Sequence, residues 1–292
     1  MDLQHLADQE NLQLISSKPL AGGDINEVYQ LSCKEGEYVV KINDRSAYPN
    51  MFECEANGLA ALRNSASFRI PQVIASGEIN KHAYLLLEYI DAAPAADDFD
   101  EQFAERLIKL HKTSADHFGF YEDNYIGKLP QYNGKENTAA DFYINQRLAP
   151  QIRMAKNRGY DLSADDVFFK NVEDAIPDEQ PSLIHGDLWA GNYMTDEKGN
   201  PVVIDPATCY AHREMDLAMM KMFGGYSARI FEMYDENYPL ESQWPSRIKL
   251  YQLYYLLVHL NLFGSGYLSS VENSIRQYRW LEHSFLKPIF AK

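Results

Sequence analysis

The sequence predicts an α+β chain of two lobes: a small N-terminal lobe with a five-stranded antiparallel sheet and one helix, and a larger, mainly helical C-terminal lobe. Three observations carry this. Up to residue 90 the chain runs in short apolar segments separated by Gly, Pro, Asn and Asp, the pattern of strands and turns. From Phe99 the apolar period becomes helical, with Phe99, Phe103, Leu107 and Leu110 on one stripe. Between them lies DAAPAADD, residues 91–98, where the pattern breaks. This puts the lobe boundary after residue 90, giving lobes of residues 1–90 and 91–292.

In the first lobe, residues 2–11 read as a short helix. Leu12–Lys18 and Asn26–Ser32 read as strands joined by PLAGGDI, in which Gly22 and Gly23 would let backbone N–H groups approach an anion. Glu37–Ile42 is a third strand, with Lys41 set among apolar residues, where an ammonium group is costly unless it meets an anion. The helix FECEANGLAAL, residues 52–62, offers Glu53 and Glu55. Glu55 adjoins the apolar stripe Ala56, Leu59 and Leu62 and is the expected partner of Lys41, whereas Glu53 should face water. Ile70–Ile74 and Tyr84–Ile90 complete the sheet.

In the second lobe the first helix ends near His111 and His117, which read as capping or surface residues. Residues 118–137 lack any period, too long for a plain connector and a candidate for acceptor binding. A helix over 141–157 and a further helix lead to the stretch PSLIHGDLWAGNYMTDEKGNPVVIDPATCYAHREMDLAMM, residues 181–220. There the run Ser182–Ile184 ends in His185-Gly186-Asp187, Asn192 follows, and a strand Val202–Ile204 ends in Asp205. Glu214 and Asp216 open a helix, where carboxylates suit the dipole or could accept N–H groups of the catalytic loop. From Pro245 the tail is helical and apolar on most faces, ending at Gly264 and Gly266.

Phosphoryl transfer needs a base at the acceptor hydroxyl and oxygen ligands for Mg2+ against the phosphates. Protein kinases supply them as H-x-D-x-x-x-x-N followed by an Asp after the next strand. Asp187, Asn192 and Asp205 fit this order: Asp187 as base, Asn192 and Asp205 as Mg2+ ligands through hard oxygens. In such a bilobal protein-kinase-like fold Lys41 would meet the ATP phosphates, and Glu88, Tyr89 and Ile90 would form a hinge offering main-chain groups to adenine. Asp205-Pro206-Ala207 stands where protein kinases carry Asp-Phe-Gly, so no Phe-based regulatory flip is expected.

The chain has 292 residues, a formal net charge of −15 and 46% hydrophobic residues. That composition builds a sizeable core and argues against a nucleic-acid partner, which needs a basic footprint. The three cysteines have no CxxC spacing, which points to a reducing compartment without disulfides or zinc. The start MDLQHLADQE lacks the features of a secretory signal, and the longest apolar run, Leu253–Phe263, is too short to span a bilayer. A cytoplasmic monomer with no membrane partner is expected.

The segments LIHGDLWAGN (183–192), IDPATCYAHRE (204–214), MFGG (222–225), LYQLYYLLVHLNLFGSGY (250–267), VVKIN (39–43) and MFECEANGLAAL (51–62) together resemble the fructosamine/ketosamine-3-kinase family, a branch of the aminoglycoside-phosphotransferase-like kinases. The resemblance implies ATP- and Mg2+-dependent phosphorylation of the 3-hydroxyl of a small-molecule or protein-bound ketosamine. The product sheds its sugar, so the activity would be deglycating repair. It sets Lys41 on phosphates with Glu55 as its partner, Asp187 as base, Asn192 and Asp205 on magnesium, and Trp189 beside the acceptor or in a packing role. The segment PQYNGKENTAADF (130–142) lacks the tryptophans common there, which leaves the acceptor open. Residues 19–27 hold no cysteine, so no redox-linked dimer is expected. The alternatives are a kinase of another hydroxylated amine, aminoglycoside or choline-like, and a non-catalytic nucleotide-binding module; the presence of Lys41, Asp187, Asn192 and Asp205 argues against the latter.

Overall fold

The computed structural model describes residues 1–20 and 26–280. Strands β1 (Leu14–Pro19), β2 (Glu27–Cys33), β3 (Gly36–Asp44), β4 (Val73–Ile79) and β5 (His82–Glu88) form one antiparallel sheet in the order β1-β2-β3-β5-β4. The strand expected at Ile70–Ile74 begins only at Val73 and runs on to Ile79. Pro71 has no N–H for a ladder, which excludes the earlier start. Two helices serve this sheet rather than one. Helix α1 (Leu3–Gln9) buries Leu6 and Ala7 against Leu31, Val40 and Leu86, while α2 (Met51–Asn64) carries Phe52, Leu59 and Leu62 to Leu85 and Leu87.

The rest of the chain is mainly helical. Helix α3 (Phe99–His111) presents Phe103, Leu107 and Leu110 inward. His111 is not a surface or capping residue: it is buried, with Nδ1 at 2.8 Å from the Tyr234 hydroxyl and Nε2 at 3.2 Å from Asp216. Its position on the inward face at the end of the stripe decides this. The aperiodic stretch that follows contains a small hairpin of β6 (Asn124–Ile126) and β7 (Leu129–Gln131). The helix expected over 141–157 is interrupted: α4 (Ala139–Phe142), a π-helical turn (Tyr143–Leu148) and α5 (Ala149–Asn157).

After α6 (Asp166–Ala175) come four short strands, β8 (Ser182–Ile184), β9 (Tyr193–Thr195), β10 (Pro201–Val203) and β11 (Cys209–Ala211), paired as β8–β11 and β9–β10. Helices α7 (Glu214–Met222), α8 (Ala228–Asn237), α9 (Trp244–Phe263) and α10 (Leu268–Arg279) close the fold. Sequence periodicity did not separate α8 or α10 from their surroundings. Helix α9 is buried on most of its surface, as its apolar composition requires. Gly264, at φ +88°, ends it in a backbone state that side chains disfavour. Among the described residues no helix is long and apolar enough to cross a membrane.

His212, just before α7, is buried with its ring stacked on Tyr251 at 5.2 Å. Burial is the main cause that pushes it down to about 4 from an ordinary 6.5. A base with a depressed folded pKa stabilises the fold fully above pH 6.5 and loses that contribution as pH falls toward 4. His212→Gln should therefore flatten the acid limb of stability between pH 6.5 and 4 by up to ~1.4 kcal/mol per pH unit, measured by urea unfolding at a series of pH values.

Candidate active site

Lys41 enters the site from the middle of β3, opposite Leu85 of β5. Only 6% of it is exposed, and its Nζ donates to Glu55 Oε1 at 2.6 Å and to Asp205 Oδ1 at 2.5 Å. Burial works against the charged ammonium, but Asp205 and Glu55 outweigh it and hold the proton well above the ordinary lysine range. Burial likewise raises the Glu55 carboxyl, opposed by the pull of Lys41. Helix α2 thus delivers Glu55 to the sheet, and Glu53 faces solvent, as its place on the helix predicted.

The loop after β8 is held from beneath. The Asp216 carboxylate, at the start of α7, accepts from His185 N–H and Gly186 N–H, both at 2.8 Å. Tyr255, from α9, donates its hydroxyl to Gly186 O at 2.9 Å, and Ala207 N–H donates to His185 O at 2.9 Å. The His185 ring, kept neutral mainly by burial, donates from Nε2 to Ile204 O at 2.9 Å and accepts Asp187 N–H on Nδ1 at 3.3 Å. Bonds to a charged acceptor such as Asp216 are worth about 1.5–3 kcal/mol each. The loop that carries Asp187 is therefore rigid before any ligand arrives.

Asn192 links the two aspartates. Its Nδ2 donates to Asp187 O at 2.9 Å, to Asp187 Oδ2 at 3.0 Å and, more weakly, to Asp205 O at 3.4 Å. Burial, with added repulsion from Asp205, pushes the Asp187 carboxyl up to about 7, while the Asn192 amide pulls it down. Asp205 adopts φ +56°, a left-handed conformation rare for a residue with a side chain and costing on the order of 1 kcal/mol. It turns the chain sharply after β10 and leaves the side chain 44% exposed.

These groups border one cleft of about 460 Å3. Lys41, Glu55, Asp187, Trp189, Asn192 and Asp205, separated by up to 164 positions in sequence, all line it. Gly22 and Gly23 lie outside the described residues. Glu88, the last residue of β5, and Tyr89 and Ile90 just after it do not line the cleft. The Glu88 carboxylate is taken by Arg69 at 2.8 Å and Gln72 N–H at 3.0 Å, and Ile90 is buried.

The rest of the cleft lining went unrecognised as a residue set, although the long aperiodic stretch marked the region. Residues 124–128 of the β6–β7 hairpin line it, with Phe223, His259 and Phe263. Trp189 is 41% exposed and meets Phe223 edge-on at 6.4 Å, and the His259 ring lies 5.2 Å from Phe223. The signal for Tyr255 and His259 was present: polar side chains inside the apolar run of α9. Gly186 sits at φ +84°, and a Cβ there would come within 2.1 Å of Ala207 O. Gly186→Ala should lower stability by about 2 kcal/mol or more through strain and clash and reduce turnover at least tenfold, read by thermal melts and ATP consumption.

The fructosamine kinase family model matches residues 2–281. The chain is 37% identical over 266 residues to a protein named probable ketoamine kinase from Enterococcus faecium, covering 89% of this chain and 94% of that one. It is 32% identical over 281 residues to the chloroplastic protein-ribulosamine 3-kinase of Arabidopsis thaliana, covering 94% and 85%. Among solved structures, a Thermobifida fusca protein named as a fructosamine-3-kinase superposes with a TM-score of 0.82 at 33% identity, covering 94% and 96%. Aminoglycoside phosphotransferase APH(4)-Ia, at 16% identity and a TM-score of 0.62, shares the fold, which is therefore the bilobal kinase-like one. A match over nearly the whole length, joined to a lysine, glutamate, asparagine and two aspartates around one cleft, means that this chain belongs to the fructosamine kinase family.

Proposed function

We propose that the protein is an ATP-dependent kinase that phosphorylates the 3-hydroxyl of ketosamines, acting on fructosamine- or ribulosamine-type glycated amines as a repair activity. The observation that carries this reading is the convergence of Lys41, Glu55, Asp187, Asn192 and Asp205 on a single cleft with a separate, partly aromatic wall. The names of the relatives supply the acceptor class. We take residues 1–90 as the nucleotide lobe and 91–292 as the acceptor lobe; the hinge expected at Glu88–Ile90 lies outside the cleft lining, with the Glu88 and Tyr89 N–H groups given to Gln72 O and Glu37 O. Three free, buried cysteines suit a cytoplasmic, reducing location, and we expect a monomer.

The residues fit a magnesium ion. Asp205 opens a half-exposed carboxylate onto the cleft, and with the Asn192 Nδ2 turned to Asp187, the Oδ1 has no hydrogen-bond donor among the described residues. Two hard oxygens suit Mg2+, which takes few protein ligands and completes its shell with phosphate and water. When bound, the ion neutralises charge developing on the transferring phosphoryl group.

The chain's own residues do the rest. Lys41, kept charged by its two carboxylates, gives a fixed cation for phosphate oxygens, and Glu55 would still hold it were Asp205 to ligate the metal. Asp187 receives the proton of the acceptor hydroxyl as that oxygen bonds to the γ-phosphorus and the bond from the γ-phosphorus to the β-phosphate oxygen breaks, releasing ADP. A carboxyl with a pKa near neutrality suits that transfer. The fixed loop geometry aligns this oxygen without reorganisation cost. Trp189, Phe223 and His259 give the acceptor a border of rings.

Asp187→Ala should cut turnover at least a thousandfold with ATP affinity within a few-fold of wild type, because the base meets the acceptor; parallel loss of both would refute its role. For Asp205→Ala, calorimetry with and without metal should show loss of Mg2+-dependent nucleotide binding. ATP consumption with ribulose-lysine, fructose-lysine and aminoglycosides in parallel tests the acceptor class. Turnover of aminoglycosides alone would replace this reading with that of another amine kinase.

A further inference from the structure

We infer that Arg147 is a positioning residue for the proposed phosphoryl transfer, acting through a buried hydrogen-bond chain on the segment after Asp205 and on the acceptor-side wall. The inference rests on the kinase reading above. Arg147 is fully buried in the π-helical turn, and among the described residues no carboxylate lies within 4.0 Å of its guanidinium. A buried cation with no anion is expensive. Here it is met by acceptors and rings: Nη1 donates to Tyr132 O and Gln146 O, Nη2 to Asn133 Oδ1 at 2.7 Å and Cys209 Sγ at 3.2 Å, and the group lies 4.5 Å from the Phe142 ring and 5.6 Å from that of Tyr254.

The chain continues from there toward the site. Asn133 Nδ2 donates to Asn124 Oδ1 at 3.1 Å and Glu122 O at 3.0 Å. Asn124, which lines the cleft, donates to Thr208 O at 2.9 Å. Gln131 faces it across the hairpin, donating to Asn124 Oδ1 at 2.8 Å and Ala207 O at 3.1 Å and accepting from the Tyr254 hydroxyl at 2.7 Å. The three amide side chains use both donor and acceptor atoms, so each has one orientation. The pinned carbonyls belong to the second and third residues after Asp205, and Ala207 N–H is already bound to His185 O. Arg147 thus sets, through Asn133, the register of the hairpin against the strip joining Asp205 to the catalytic loop. A π turn adds a residue per turn and often occurs at functional sites, and this one carries the guanidinium.

Two variants test this. Arg147→Lys keeps the charge but loses the planar fork. Asn133→Asp gives Arg147 a carboxylate, favouring the fold, but removes the donors to Asn124 and Glu122. Both are assayed with a ketosamine acceptor at least 15 °C below their melting points, alongside hydrogen exchange of residues 204–211. The expected result is a tenfold or greater fall in kcat/KM for acceptor, KM for ATP within twofold of wild type, and faster exchange at 204–211, with Asn133→Asp melting within a few degrees of wild type. Folded variants with wild-type kinetics and exchange, equal losses toward ATP and acceptor, or failure of both to fold would reduce Arg147 to a structural role and overturn the inference. Absence of wild-type turnover with any ketosamine would instead fail the proposed substrate, and the exchange data would still decide the role of Arg147.

Discussion

The fold is organised around one buried cation. Lys41 points from the centre of a sheet into a region with almost no solvent, and it persists there because carboxylates arrive from two other parts of the chain. Removing one partner from a buried ion pair typically costs 3–5 kcal/mol, so the position of α2 on the sheet and the turn after β10 are coupled to Lys41. This ties the sheet to the C-terminal part of the chain alongside apolar packing. The apolar contacts run the same way: one cluster joins Leu85 and Leu87 of the sheet with Phe103, Leu183 and Val203.

A second constraint acts on the loop that carries Asp187. Asp187 must stand at a fixed position while carrying an unfavourable environment for its charge, and the structure resolves this by holding its backbone rather than its carboxylate. Asp216, Tyr255 and His185 all bind main-chain groups of the loop. Among the described residues the carboxylate itself keeps a single donor side chain, Asn192. It stays available for a hydroxyl and is poised near neutrality. Strain at Asp205 and the obligatory glycine at 186 are the conformational cost of bringing both aspartates to the same face.

The two walls of the cleft differ in chemistry, and that difference shapes the proposed activity. The wall with Lys41, Asn192 and Asp205 offers a cation and hard oxygens; the other offers aromatic rings and a hairpin whose amides are all internally satisfied. Because its side-chain amides are already spent within the protein, they contribute shape, whereas the exposed Lys128 also lines the cleft. The accuracy of that shape then depends on the buried supports behind the hairpin, Arg147 among them.

Much of this was legible in the sequence. The strand-to-helix change of period, HGD with Asn192 and Asp205 at fixed spacing, a lysine in an apolar strand and the choice of Glu55 over Glu53 follow from local chemistry: periodicity, the cost of burying charge and the donor types that magnesium accepts. What the sequence could not determine were relations between distant segments. That His111 reaches Asp216, that a π turn divides a seemingly continuous helix, that the aperiodic stretch is a hairpin forming one wall of the cleft, and that β4 starts after Pro71 and extends to Ile79 were decided by packing. Hydrogen-bond partners 60 to 160 positions apart leave no trace in a local pattern, because each residue type there is equally at home in a turn, a cap or on the surface. Only the closed tertiary structure, which must pair most buried polar groups, selects among those uses.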